Sequence, residues 1–168
     1  LSQYLAPLYG ILEGLFLGAI SSMYNAAFAE TAPNIVINAI GLTFAVVLAM
    51  NLLYSFKIIQ ATQKFKSIVM AATMGIAIFY LITWIMHFAG MQAVPFLHQG
   101  SWIGIAFSLF VTAIAALNLI IDFDMIEQGA ATGAPKYMEW YGAFGLLVTI
   151  VWLYLEILRL LSKLSSRD

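Results

Sequence analysis

Apolar residues run in long, unalternating stretches separated by short polar connections, and these breaks divide the chain into five segments. The segments cover about 5–28, 34–56, 67–88, 100–121 and 137–161. A helix needs about 20 apolar residues to cross the ~30 Å hydrocarbon core, and each segment is long enough. Membrane β-strands read instead as ~10-residue alternating segments, which this pattern excludes. The expected architecture is all-α: a polytopic transmembrane helix bundle forming a single transmembrane domain over residues 1–168. Glu30, Thr31, Ala32 and Pro33 join the first two spans, with Pro33 suited to a first helical turn. The 57–66 connection holds Lys57, Lys64 and Lys66, and the 89–99 connection is rich in Gly and Pro without a formal charge. The 122–136 connection is the most polar and contains Gly129, Gly133 and Pro135.

Composition fixes the solvent. Of 168 residues, 63% are hydrophobic and 9% charged, against roughly a quarter charged in a soluble domain. Mean hydropathy is +0.96. Too few charges remain to cover a water-facing surface, so the lipid bilayer is the expected partner. A net charge of −1 supplies no basic field for nucleic acid. The absence of cysteine excludes disulfides, thiolate metal sites and thiol catalysis. The chain opens on Leu1, and its first apolar stretch lacks a basic flank or small-residue cleavage site. It therefore reads as a span of an N-terminally truncated fragment rather than a signal peptide. The positive-inside rule places the 57–66 loop in the cytoplasm. Alternation then gives four cationic residues inside (Lys57, Lys64, Lys66, Lys136) against three outside (Arg159, Lys163, Arg167).

Two spans carry small residues every four positions: Ala6, Gly10, Gly14, Gly18 and Ser22 in the first, and Gly100, Gly104, Ser108, Thr112 and Ala116 in the fourth. Such stripes let backbones approach closely and drive helix association in lipid, so they predict a compact bundle; a glycine-lined conduit is the alternative.

Charges at membrane depth cost at least ~2.5–3.5 kcal/mol on insertion scales, so each needs a reason. Glu13 sits mid-span beside the first glycine stripe, either as a hydrogen-bonded carboxyl joining helices or as a carboxylate on an ion or proton path. Asp122, Asp124 and Glu127 close the fourth span. On a helix Asp122 and Asp124 point about 200° apart, while Asp124 and Glu127 share a face. They do not form an EF-hand loop, which needs glycine at the sixth position, where Glu127 stands. Glu156 has Arg159 one turn on, which makes an intrahelical ion pair available. Asn38, Asn51 and Asn118 suit interhelical hydrogen bonds, and Trp84, Trp102, Trp140 and Tyr137 suit interfacial anchoring. His87 and His98 are too few to hold a metal. There is no nucleophile elbow, His-Glu-x-x-His or phosphate-cradling loop, so no enzyme activity is expected.

Three segments resemble one family. Ile120-Ile121-Asp122-Phe123-Asp124-Met125-Ile126 is similar to a Tyr-Asp-x-x-x-Ile element at the end of that family's penultimate span. The run from Leu153 through Glu156 to Leu161 is similar to its Leu-Tyr-Leu-Asp-Phe-x-x-Leu-Phe run in the last span, with Glu156 replacing aspartate. The first span resembles its Gly-rich third helix. The family is the Bax inhibitor-1 (transmembrane Bax inhibitor motif) group, bacterial branch, and the likeness covers essentially the whole chain. It implies a seven-span fold of which five are present, in a bacterial inner membrane, crossed several times. It also implies a pH-sensitive leak for which Ca²⁺ is the permeant ion, without a cofactor. Two carboxylates from the last two helices share a proton in that family, and by motif match they are Asp122 and Glu156, with Asp124 and Glu13 as further candidates. Some members are thought instead to bind and modulate a membrane protease or stress-response partner, with the same acids as structural glue.

Two carboxylates close together in a low-dielectric bundle cannot both ionise cheaply and titrate as one unit. Ionised, they offer oxygen ligands to a hard cation. Asp122 and Glu156 are 34 residues apart, and Glu156 lies about 28 Å along a helix that starts at Tyr137. The two meet only if the fourth helix continues past Asp122 and the last breaks near Gly142 or Gly145; otherwise Glu139 is the acid nearer in depth.

Overall fold

The computed structural model describes residues 2–27, 34–90 and 102–167. The expectations placed on Glu30, Thr31, Ala32, Pro33, His98 and Gly100 lie outside the described residues, as do the side chains of His87 and Arg167. Five helices are present: α1 (Ser2–Ala27), α2 (Ile35–Ser55), α3 (Gln63–Phe88), α4 (Trp102–Ala131) and α5 (Tyr137–Arg167). Each is long and apolar enough to cross a membrane, and no strand occurs among the described residues. The molecule is a polytopic helical bundle.

Local chemistry sets the ends that matter. Lys57 leaves α2 in the left-handed region at φ 60°. α3 starts at Gln63, four residues before the expected span, because the Thr62 hydroxyl accepts the Phe65 amide at 3.1 Å and so caps the helix. That draws Lys66 into the first turns of α3. α4 runs ten residues beyond its expected end at Ile121. It closes in a Schellman turn around Gly133 (φ 67°), with Gly133 N donating to Ala130 O and Ala134 N to Gly129 O at 3.0 Å. The three acids of the 122–136 segment are therefore helical. α5 is continuous through Gly142 and Gly145, so the break considered there is absent.

α4 and α5 form the central antiparallel pair. α1 and α2 pack on α5, α2 also on α4, and α3 packs mainly on α4, reaching α5 through Tyr80 and Trp152. The main core joins Ile35 and Ala39 of α2, Ala115, Ala116 and Leu119 of α4, and Leu153, Tyr154, Ile157 and Leu158 of α5. A smaller cluster of Ile76, Val111 and Ile114 seats α3.

The two small-residue stripes fare differently. In α4, Gly104, Ser108 and Ala116 are buried, as close packing requires. In α1, a Cβ on Gly10 would meet Leu147 at 3.7 Å, but one on Gly14 or Gly18 would find nothing within 4 Å. Most of that stripe faces outward, contrary to the packing expectation, because α1 meets the bundle through Leu17, Ile20, Ser21 and Tyr24 instead. The close approach falls on Gly142, where a Cβ would stand 3.1 Å from Ile126 Cγ1. Trp84, Trp102, Tyr137 and Trp140 are exposed near helix ends, as anchors should be.

Candidate functional site

Polar side chains cross the bundle in a file along the α3, α4 and α5 seam. At the end nearest the 57–66 loop, Asp124 is 7% exposed. Its Oδ1 accepts from the Tyr54 hydroxyl at 3.1 Å, and its Oδ2 lies 2.5 Å from Lys66 Nζ. A cavity of about 560 Å³ lined by Tyr54, Lys57, Gln60, Thr62, Asp124 and Glu127 opens on this group. Further in, half-buried Asp122 lies against Thr149 of α5, whose hydroxyl donates to Gly145 O at 3.1 Å. Next, Asn118 donates to Thr73 Oγ1 of α3 at 2.9 Å and to Ile114 O at 2.9 Å.

Glu156 follows, 2% exposed. Its Oε1 accepts from the Tyr80 hydroxyl of α3 at 3.0 Å and from Arg159 at 3.2 Å, and the Arg159 guanidinium lies 5.1 Å from the Tyr80 ring centroid. At the far end Lys163 is 5% exposed and donates to Ser108 Oγ at 2.7 Å and Gly104 O at 3.3 Å. From Gly104 to Asp124 the file follows α4 for about 30 Å, the thickness of the hydrocarbon core.

The register of α4 on α5 decides which acids meet. Thr149 beside Asp122 and Lys163 beside Ser108 put Glu156 level with Ala115. Asp122 and Glu156 are thus about 10 Å apart along the bundle axis at 1.5 Å per residue. The helix extension past Asp122 occurs, but without a break in α5 the two carboxyls are separate stations. Glu139 is exposed at the start of α5 and faces neither Asp122 nor Asp124 across the register. Glu13, half-buried on α1, bonds Tyr9 one turn earlier and lies off the file. The Glu156–Arg159 pair expected from spacing is present, and Asp124 and Glu127 share a face as expected: both carboxylates meet Tyr54 and line the same cavity, Asp124 buried and Glu127 exposed.

Asp122 Oδ2 and Glu156 Oε2 are buried without a hydrogen-bond partner. A buried oxygen of this kind costs ~1–3 kcal/mol or more, and a proton or a cation would satisfy it. Carboxylate, hydroxyl and carbonyl oxygens are the ligands hard cations take. Among the described residues no group of three or more His, Cys, Asp or Glu could hold a metal ion.

Tyr54, Lys66, Tyr80 and Lys163 were not legible as site residues. Lys163 did carry a signal, since it lies seven residues after Glu156 and hence on the same helical face. Tyr80 carried none, because its role depends on where α3 docks.

No curated protein and no solved structure matches the chain. The family model described as Bax inhibitor 1 like matches residues 1–166. The chain, a multi-pass helical membrane protein with a polar file through its core, belongs to the Bax inhibitor 1 like family.

Proposed function

We propose that the protein is a pH-sensitive cation leak of the bacterial inner membrane, with Ca²⁺ as permeant ion, gated by its intramembrane carboxylates. The observation that carries this reading is the polar file itself: intramembrane ionisable groups are expensive and mark ion or proton pathways, and here they succeed one another across the bundle. Asp122, Asp124 and Glu156 are the working acids. Glu13 braces α1 through Tyr9.

The gate is α3. Three polar ties hold it to the central pair: Lys66 to Asp124, Thr73 to Asn118, and Tyr80 to Glu156. Protonating Asp124 removes the charge that holds Lys66, and protonating Glu156 weakens its bonds to Arg159 and Tyr80. Acidification therefore loosens α3 and opens the seam. Asp124 and Glu156 each act on their own tie rather than sharing one proton, and Asp122, with its free Oδ2, stands between them as an oxygen ligand for the passing cation.

The test is Ca²⁺ entry into liposomes containing the purified protein, followed against pH. Flux should rise on acidification, and Asp122→Asn and Glu156→Gln should each change its size or its midpoint. Flux that ignores pH, or that is unchanged in both variants, removes the mechanism.

A second reading, a regulator that binds a membrane protease or another membrane protein, is favoured by the outward-facing Gly14 and Gly18 of α1, which leave room for a partner helix. Co-purification of a protease with protein that carries no ion would decide for it.

A further inference from the structure

Lys163 stands four residues from the end of α5, about 6 Å at 1.5 Å per residue. A lysine so close to a helix end normally extends its stem and leaves its ammonium in water. This one turns inward instead. It is 5% exposed, and its ammonium bonds the Ser108 hydroxyl at 2.7 Å and the Gly104 carbonyl at 3.3 Å. Both ligands belong to the start of α4, where the helix dipole disfavours positive charge. Arg159, one turn back on α5, adds a like charge, while the Glu156 carboxylate two turns back and the C-terminal end of the α5 dipole attract the ammonium.

The ligands are those of a weak cation site. A hydroxyl and a backbone carbonyl are neutral oxygens of the kind that replace the hydration shell of a monovalent cation, whereas tight divalent sites use several carboxylates. Ser108 is fully buried and lies on the small-residue face of α4, so its oxygen points into the seam. The Thr112 hydroxyl bonds the Ser108 carbonyl at 2.7 Å, which fixes that turn.

We propose that Gly104 O and Ser108 Oγ form a monovalent-cation site at the far end of the file, and that the Lys163 ammonium occupies it as a tethered plug. While α3 is latched, occupancy by the protein's own cation closes this end to free ions. The consequence for flux rests on the leak reading above; the site itself does not.

The test uses the full chain in liposomes, with K⁺ and Ca²⁺ flux measured separately for the native protein, Lys163→Met, Lys163→Ala, Lys163→Arg and Ser108→Ala. Losing a charged hydrogen bond should raise K⁺ flux at least about tenfold in Lys163→Met and Lys163→Ala. Lys163→Arg should stay near the native level, and Ser108→Ala, which keeps the plug but removes a ligand, should rise less. Added n-butylammonium, which replaces the missing stem and charge, should block Lys163→Ala and leave native flux unchanged. K⁺ flux in Lys163→Met equal to native, while pH-dependent Ca²⁺ flux persists, overturns the plug and spares the leak reading. Raised K⁺ flux with butylammonium block, but no pH-dependent Ca²⁺ flux in any protein, supports the plug and overturns carboxylate gating. Flux raised equally by every substitution and insensitive to butylammonium reflects a damaged bundle and overturns the plug, as does silence in all variants.

Discussion

Asp124→Asn isolates the tie that holds the first turns of α3. Asparagine keeps an oxygen for the Tyr54 hydroxyl and nearly the same shape, but loses the charge that faces Lys66. Two unit charges 4 Å apart interact by ~4 kcal/mol at an effective dielectric near 20. The Lys66 side chain is 35% exposed and that of Asp124 10%, so water screens part of this, and exposed pairs are worth only ~0–1 kcal/mol. About 1–2 kcal/mol is the reasonable remainder, a factor of ~5–30 in a two-state balance. Asp124→Asn should therefore raise the open fraction by about that factor at neutral pH and flatten the further rise on acidification, because the proton's work is already done. Lys66→Gln should do the same, and the double variant should add little to either. The assay is Ca²⁺ entry into proteoliposomes for both single variants and the pair, at low and high salt, since screening should shrink the native advantage. Strictly additive effects of the two substitutions would show that Lys66 and Asp124 are not coupled, and the α3 latch would fall with them.

Tyr80→Phe removes one hydrogen bond to Glu156 Oε1 and should cost ~1–3 kcal/mol, read as a lower unfolding temperature in detergent and a displaced pH midpoint of flux. Leu119→Ala empties a fully buried position between α2, α4 and α5. It should destabilise by ~2–5 kcal/mol on the scale of buried Leu→Ala changes, checked by the same thermal unfolding. Gly142→Val must displace Ile126, 3.1 Å from its Cβ, and should cost ~1–3 kcal/mol. Gly18→Val, with nothing within 4 Å, should stay within about 0.5 kcal/mol and abolish partner capture if α1 is a docking surface.

The spans were legible because burial in lipid demands long apolar runs, and these run the length of each helix. Their ends were less so. The segment from Asp122 to Ala131 reads as a polar connection because acids are costly in lipid, yet in the bundle Asp124 is turned inward and held by Lys66 and Tyr54. Thr62 likewise carries α3 backward over Lys64 and Lys66, which the apolar pattern assigns to a loop. Asp122 and Glu156 stood out as intramembrane acids by the same cost argument. Their separation did not, since it follows from the register that sets Thr149 against Asp122, and helix register is a property of packing rather than of either helix alone. Lys163 looked like one more cation of a terminal cluster, because only the fold shows it turned onto Ser108.

The tight Schellman turn at Gly133 has a bearing on biogenesis. It joins α4 and α5 so closely that they emerge as a hairpin, and each holds polar groups that meet the other: Lys163 bonds Gly104 and Ser108, and Asp122 lies against Thr149. Released singly, either helix would carry bare charge into hydrocarbon. The insertion machinery must therefore retain α4 until α5 has been made, and the pair should partition laterally as one unit.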